Sequence, residues 1–137
     1  MATTAITNVI PDSHADLLDS TALAHVATIG PDGAPQTNPV WFDVHDGTIR
    51  FSHTKARQKY KNVQRAPRVA LSIVDPANPY RYLEIRGVVE RIDEDPDKTF
   101  INLMAKKYLD QDVYPWHQPG EERVVIVVRP EHTTTMG

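Results

Sequence analysis

The chain has 137 residues, of which 40% are hydrophobic, and it contains no cysteine. This is the length of one domain, residues 1–137, with enough apolar side chains to form a hydrophobic core. The missing cysteines exclude disulfides, thiolate nucleophiles and thiolate metal sites. A formal net charge of -3 gives no reason to expect nucleic acid or an anionic membrane as a partner.

The N-terminal part of the chain lacks the basic flank of a targeting peptide, because its first Lys or Arg is Arg50. The longest aliphatic run, VVIVV at 124–128, is too short to span a bilayer. We therefore expect a cytoplasmic protein with no membrane partner.

A short helix is the first predicted element, starting at Pro11 or Asp12 and turning Leu17 and Leu18 inward as a lid on the fold. Three strands should follow as a meander from residue 22 to 53, because the segments PDG and HDG separate apolar runs and Asp-Gly between such runs indicates a hairpin.

Helical periodicity returns at 55–65, where Ala56, Tyr60 and Val63 share an apolar face. The remaining predicted elements are strands at 68–75 and 80–92 around a turn at 76–79, a helix at 96–109, an irregular loop at 110–122 and a strand at 123–130. In the second helix the shared apolar face comprises Phe100, Leu103, Met104 and Tyr108. About six strands and only two substantial helices predict a mainly β protein, an antiparallel barrel with helices over its open ends.

The stretch QTNPVWF at 36–42 interrupts a good strand with Pro39, which cannot donate a ladder hydrogen bond. Pro39 should therefore mark a bulge or an edge of the sheet. A plain edge strand with Trp41 in the core is the alternative.

Basic residues are concentrated between positions 50 and 68, which hold no Asp or Glu. Seven of the fifteen Lys and Arg residues lie there: Arg50, Lys55, Arg57, Lys59, Lys61, Arg65 and Arg68. A strand ending in Ser52-His53-Thr54 precedes a helix here, so free N–H groups, hydroxyls and cations coincide in a candidate phosphate site. The alternative is a solvated helix face, since Arg57, Lys61 and Arg65 recur every four residues.

No motif for metal binding or for protein-based catalysis is present. The six histidines lack ligand spacing, so we predict no metal site. The acidic residues Glu94, Asp95 and Asp97 precede a helix, where they complement its dipole. Because no nucleophile, acid or base stands out, an enzyme of this sequence would rely on a bound cofactor for the difficult step.

Four segments resemble one family: ATIGPDGAPQTNPVWF, FSHTKARQKYKNVQRAPRVALSIVDPANPYRYLEIRGVVE, KYLDQDVYP and ERVVIVVRPE. Over about residues 20–131 the chain resembles the deazaflavin-dependent branch of the flavin/deazaflavin oxidoreductases, which are relatives of pyridoxamine 5′-phosphate oxidase. The resemblance implies a split β-barrel with an FMN-binding type of fold. It also implies a homodimer with cofactor sites at the subunit interface, and coenzyme F420, with FMN as the alternative cofactor.

The resemblance also implies which residues bind the cofactor. Along the ring these are Asn38, Pro39, Val40 and Trp41, and at the phosphate they are Ser52, Thr54, Lys55, Arg57 and Lys59. Asn62 and Arg65 would order the helix exit. From the partner subunit, Asn78 and Tyr80 would reach the cofactor, and Tyr114, Trp116 and His117 would line the substrate pocket.

The resemblance favours a reductase that passes hydride from reduced F420 to an electron-poor conjugated small molecule such as an enone, quinone or tetrapyrrole. No catalytic residue is assigned, and the proton could come from solvent, Tyr80 or His117. The alternatives are a non-catalytic F420 or FMN carrier and an FMN-dependent oxidase of the pyridoxamine phosphate type. A nucleic-acid-binding module ranks last.

Overall fold

Residues 9–137 are described by a computed structural model, in which the strands form one sheet. The strands are β1 (Ala24–Ile29), β2 (Pro35–Val40), β3 (Phe42–His45), β4 (Thr48–Thr54), β5 (Arg68–Asp75), β6 (Asn78–Glu94) and β7 (Arg123–Met136). The helices are a 3₁₀ helix (Asp12–Asp19), α1 (Gln58–Arg65) and α2 (Thr99–Leu109). All pairings are antiparallel in the order β2-β1-β5-β6-β7-β4-β3, which confirms the mainly β class.

A one-residue connection at Trp41 joins the two edges of this sheet. Strand β2 ends at Val40 on one edge, and β3 begins at Phe42 on the other. Two chain steps span at most about 7 Å, so both edges meet at Trp41 and the sheet curls into a barrel. Strands β2 and β3 do not pair with each other in the described part of the chain, so the barrel is split. The predicted three-strand meander is therefore wrong, because residues 22–53 hold four strands divided between two edges.

Pro39 lies on the edge strand β2, opposite His25 of β1. Its missing N–H is tolerated there because an edge strand has a free side. The prediction of a bulge or an edge is confirmed as an edge, since β2 pairs with β1 in unbroken register from Pro35 to Val40.

The main core fills the inside of the barrel, and a second core lies on the outer face of β7. Val124, Ile126 and Val128 belong to the first core, whereas Val125 and Val127 pack under α2 in the second. Burial on both faces explains the unbroken aliphatic run of this strand. Helix α2 thus covers the outer face of β7, and not an open end of the barrel as predicted.

The helices match their predicted faces in part, since Tyr60 packs on the main core and Tyr108 on the second core. Helix α1 begins at Gln58, leaves Ala56 exposed in the preceding turn and buries Lys59, Asn62 and Val63. In α2 the buried residues are Phe100, Ile101, Met104 and Ala105, while Leu103 is 51% exposed. The 3₁₀ helix buries Leu17 and Leu18, as expected for a lid.

Two remaining predictions are confirmed near α2 and the β5–β6 turn. Of the three acidic residues predicted to complement this helix, Asp95 does so, because its carboxylate accepts the backbone N–H groups of Phe100 and Ile101 at the start of α2. Glu94 pairs with Lys55 instead. Strands β5 and β6 form a hairpin, although β6 runs over Asn78–Glu94 and β7 continues to Met136, beyond the predicted ends.

Candidate functional site

Helix α2 fixes the chain where it crosses between the sheet edges at Trp41. The Tyr108 hydroxyl donates to the Ala22 carbonyl oxygen at 2.7 Å and accepts the Phe42 N–H at 3.3 Å. The Lys107 ammonium donates to the Phe42 carbonyl oxygen at 2.7 Å. The backbone after Trp41 is therefore held on both its N–H and its C=O, which fixes the position of the Trp41 side chain.

Helix α1 is tied to β1 and β2 by a buried amide network centred on Asn62. The Asn62 side-chain nitrogen donates to Thr28 Oγ1 at 3.0 Å and to Gln36 Oε1 at 3.1 Å, and its oxygen accepts from Gln58. Gln36 in turn donates to Asn38 Oδ1 at 3.2 Å. Asn62 therefore joins α1 to the strand that carries Asn38, and this linkage goes beyond the helix-exit role expected from the sequence.

A cavity of about 160 Å³ opens between β2, β4 and α1, and we call it the polar cavity. Its lining comprises Asn38, Pro39, Val40, Trp41, Ser52, His53, Arg57 and Lys59. All of these except His53 were expected at the cofactor from the sequence resemblance. The fold thus brings the predicted ring segment and part of the predicted phosphate segment together around one space.

Lys59 is the unusual member of the polar cavity, because it is a lysine only 1% exposed. No carboxylate of residues 9–137 forms an ion pair with it, and its ammonium lies 6.0 Å from the centre of the Phe51 ring. Burial, reinforced by the nearby Arg57 charge, lowers the pKa of Lys59 from 10.5 to about 8. A buried cation without a counter-ion is what a site for a bound anion requires.

His53 is a member of this site that sequence reasoning did not select. Burial, followed by the positive charges of Lys59, Arg57 and Arg123, lowers its pKa to about 3. His53 is therefore a neutral imidazole at physiological pH and adds no charge to the cavity. The signal in the sequence was its place between Ser52 and Thr54, inside the basic segment.

A second cavity, the aromatic cavity, adjoins the first and shares Pro39, Val40 and Trp41 with it. It measures about 270 Å³, and its other lining residues are Leu23, Tyr114 and Trp116. Tyr108 stacks on Trp41 with ring centroids 5.3 Å apart and planes inclined by 8°.

The loop residues Tyr114 and Trp116 pack against Trp41 of their own chain. Their ring centroids lie 6.0 Å and 6.1 Å from that of Trp41. That this loop contacts the site of a partner subunit stays a prediction. Within one chain, the loop walls the aromatic cavity.

Five of the predicted residues line neither of these cavities: Thr54, Lys55, Asn78, Tyr80 and His117. The Lys55 ammonium is held by Glu94 at 2.9 Å, which raises the pKa of Lys55. Tyr80 is 78% exposed at the start of β6. His117 lines a separate cavity of about 230 Å³ rich in Asp and Glu, which we call the acidic cavity.

Arg123 connects these regions and was not selected from the sequence. Its guanidinium donates to Ser52 Oγ at 3.1 Å and to Glu121 at 2.9 Å, and it lies 4.7 Å from the centre of the Tyr114 ring. Ser52 and Arg123 are 71 residues apart, so no local pattern could predict the contact.

The helices between residues 9 and 137 include none that is long and apolar enough to cross a membrane. No curated protein matches the sequence.

Solved structures similar to this chain include a protein named F420 reductase, which is 42% identical. The similarity covers 91% of this chain and 98% of that one, with a TM-score of 0.83. A conserved hypothetical protein from Mycobacterium tuberculosis is 26% identical over 93% of this chain and 85% of its own, with a TM-score of 0.71. General Stress Protein 26 from Bacillus anthracis, 18% identical over 88% of each chain with a TM-score of 0.65, shares the fold.

The family model described as pyridoxamine 5′-phosphate oxidase matches residues 10–137. This match, the similarity to the F420 reductase and the curled antiparallel sheet confirm the resemblance to the deazaflavin-dependent branch found in the sequence. The chain therefore belongs to the pyridoxamine 5′-phosphate oxidase family of split-barrel oxidoreductases.

Proposed function

We propose that this protein is an F420-dependent reductase that passes hydride from reduced coenzyme F420 to an electron-poor conjugated acceptor. The observation that carries the proposal is the buried Lys59 in the polar cavity, which pairs with no carboxylate of residues 9–137 and lies next to a cavity walled by Trp41, Tyr114 and Trp116. The 42% identity to a protein named F420 reductase supports F420 as the cofactor, with FMN as the alternative.

The polar cavity fits the phosphate of such a cofactor. Arg57 and Lys59 supply two positive charges, Ser52 supplies a hydroxyl, and the lining residues in the described part of the chain include no carboxylate. An anion bound here would neutralise the charge that Lys59 buries, and charge-assisted hydrogen bonds would replace water around it. Ser52, Arg57 and Lys59 would therefore hold the phosphate.

The ring system would lie along Asn38, Pro39, Val40 and Trp41, the segment shared between the two cavities. When bound in its reduced form, F420 supplies a hydride. The flat side chains of Trp41, Tyr114 and Trp116 orient a flat acceptor and exclude water from it. This lining favours conjugated acceptors such as enones and quinones over polar ones.

In a single chain without a partner, solvent would supply the proton that completes the reduction. Neither Tyr80 nor His117 lines the aromatic cavity of its own chain. We propose a homodimer in which Asn78 and Tyr80, exposed at the start of β6, reach the site of the partner. A role for Tyr80 as proton donor depends on that assembly.

Fluorescence titrations of the purified protein with F420 and with FMN, at identical salt, test the cofactor assignment. We expect tight binding of F420 and weak binding of FMN. The reverse preference would contradict the F420 assignment and favour the oxidase. Oxidation of reduced F420 by enones and quinones then tests turnover, and tight binding without oxidation would contradict the reductase and favour the carrier.

A double variant, Arg57→Ala with Lys59→Met, tests the phosphate site. Losing two charged donors should weaken F420 binding at least about 100-fold. The matched control is Lys61→Gln with Lys106→Gln, which removes two exposed charges from the helices and should leave the affinity unchanged. Unchanged affinity in the folded Arg57/Lys59 variant would contradict the phosphate assignment.

A further inference from the structure

Arg123 does not line the polar cavity, yet it contacts a residue that does. Its guanidinium donates a hydrogen bond to Ser52 Oγ at 3.1 Å. A hydroxyl that accepts such a bond keeps its own proton for donation elsewhere. Arg123 therefore leaves the Ser52 hydroxyl free to act as a donor toward an anion in the cavity, and the positive charge strengthens that donor.

The same guanidinium also supports the wall of the aromatic cavity. It lies 4.7 Å from the centre of the Tyr114 ring, a favourable cation–π distance. Tyr114 contacts Trp116 edge-on at 5.8 Å and Trp41 at 6.0 Å, and its N–H is held by Asn102. One planar group thus touches a donor of the first cavity and a wall of the second.

Three contacts hold the Arg123 side chain. It is only 9% exposed, and its second terminal nitrogen is paired with Glu121 at 2.9 Å. A planar fork held at three points cannot move at one contact without moving at the others. Lysine could not replace it, because an ammonium lacks the fork and the flat face.

We propose that Arg123 is a positioning residue that couples anion binding at Ser52 to the order of the Tyr114–Trp116 wall. An anion that accepts a hydrogen bond from Ser52 fixes the orientation of that hydroxyl. The hydroxyl in turn holds the guanidinium in place, and the guanidinium holds Tyr114. The coupling is reciprocal, so an ordered wall also strengthens anion binding. The inference rests on the proposed phosphate site but needs no particular cofactor.

A double-mutant cycle with inorganic phosphate, measured by calorimetry, tests the contact with Ser52. Ser52→Ala and Arg123→Met should each weaken phosphate binding about tenfold, the usual worth of one charge-assisted hydrogen bond. The double variant should be about as weak as either single variant, because Arg123 acts on the anion through the Ser52 hydroxyl and its loss adds little once that hydroxyl is gone. Losses that multiply to about 100-fold would overturn the inference, as would unchanged affinity in Arg123→Met.

Acrylamide quenching of tryptophan emission tests the contact with the wall, since Trp41 and Trp116 are the two tryptophans of the chain. Saturating phosphate should reduce quenching in the unmodified protein but not in Arg123→Met or Arg123→Lys. An equal reduction in these variants would overturn the coupling. The control is Arg129→Met on the same strand, where the arginine is 53% exposed and no change is expected.

Binding measurements with inorganic phosphate and with F420 test this inference and the proposed function independently. Failure of F420 to bind, with a non-additive phosphate cycle, would refute the function and leave the role of Arg123 standing. Tight F420 binding with an additive cycle would refute the role of Arg123 alone.

Discussion

Replacing Lys59 by methionine should stabilise the ligand-free protein at neutral pH. Lys59 is 1% exposed and pairs with no carboxylate of the described residues, so folding removes its side chain from most of its water without supplying a counter-ion. Methionine has a similar length and keeps the buried hydrocarbon contacts. We therefore expect the variant to unfold less readily than the unmodified chain.

The size of the effect follows from the pKa of Lys59, which burial lowers from 10.5 to about 8. At about 1.4 kcal/mol per unit, the buried charge costs about 3 kcal/mol at pH 7. Between pH 8 and 10.5 the unfolded chain binds more protons than the folded one, so the stability of the unmodified protein rises with pH in that window. The advantage of Lys59→Met should therefore shrink to below about 1 kcal/mol at pH 10.

Urea unfolding of both proteins at pH 7 and pH 10, at equal protein concentration, measures this difference. Lys61→Met is the control, because Lys61 is exposed on the same helix and its loss should change stability by less than about 0.5 kcal/mol. Adding inorganic phosphate should stabilise the unmodified protein and not the variant. A destabilised variant, or an advantage that stays the same at pH 10, would refute the reasoning.

Two further variants test the neighbourhood of the site. Asn62→Ala should lower the free energy of unfolding by about 2 to 3 kcal/mol, because the buried Thr28 hydroxyl and the half-buried Gln36 amide lose their partner; urea unfolding with a loss below about 0.5 kcal/mol would contradict this. His53, whose pKa is lowered to about 3, should make the protein lose stability as pH falls from about 6.5 toward 3. In His53→Gln this acid sensitivity should be smaller in thermal unfolding, and an identical pH profile would contradict the assignment.

The basic segment shows how far the sequence could predict the site. Charge alone selected residues 50–68, and Ser52, Arg57 and Lys59 from that segment line the polar cavity. The charge pattern could not distinguish the role of Lys59 from that of Lys55, because both lie in the same run of cations. Only the tertiary structure shows that Lys55 pairs with Glu94 while Lys59 turns inward.

Part of the buried face of α1 was missed for a related reason. Helical periodicity selects apolar residues, so it chose Ala56, Tyr60 and Val63, whereas the helix buries Lys59 and Asn62 beside Val63. Polar residues enter a core when hydrogen bonds or a ligand compensate them. Such compensation comes from Thr28 and Gln36, which are distant in sequence.

The edge crossing could not be predicted from local patterns either. Hairpin signals correctly joined β1 to β2 and β3 to β4. They contain no information on which strands lie between the two hairpins, since the intervening β5, β6 and β7 come later in the chain. The contact between Ser52 and Arg123 could not be predicted for the same reason, because the two residues are 71 positions apart.

Because the chain crosses between the sheet edges at Trp41, the polar cavity lies between the two ends of the sheet. Strand β2 belongs to one edge, whereas Ser52 lies on β4, next to the opposite edge strand. The contacts of Tyr108 and Lys107 with Phe42 hold the two edges together at Trp41, whereas β2 and β4 face each other across the polar cavity. A ligand that touches both Asn38 and Ser52 would link the two ends of the sheet. Its binding would therefore slow backbone hydrogen exchange in both edge strands at once.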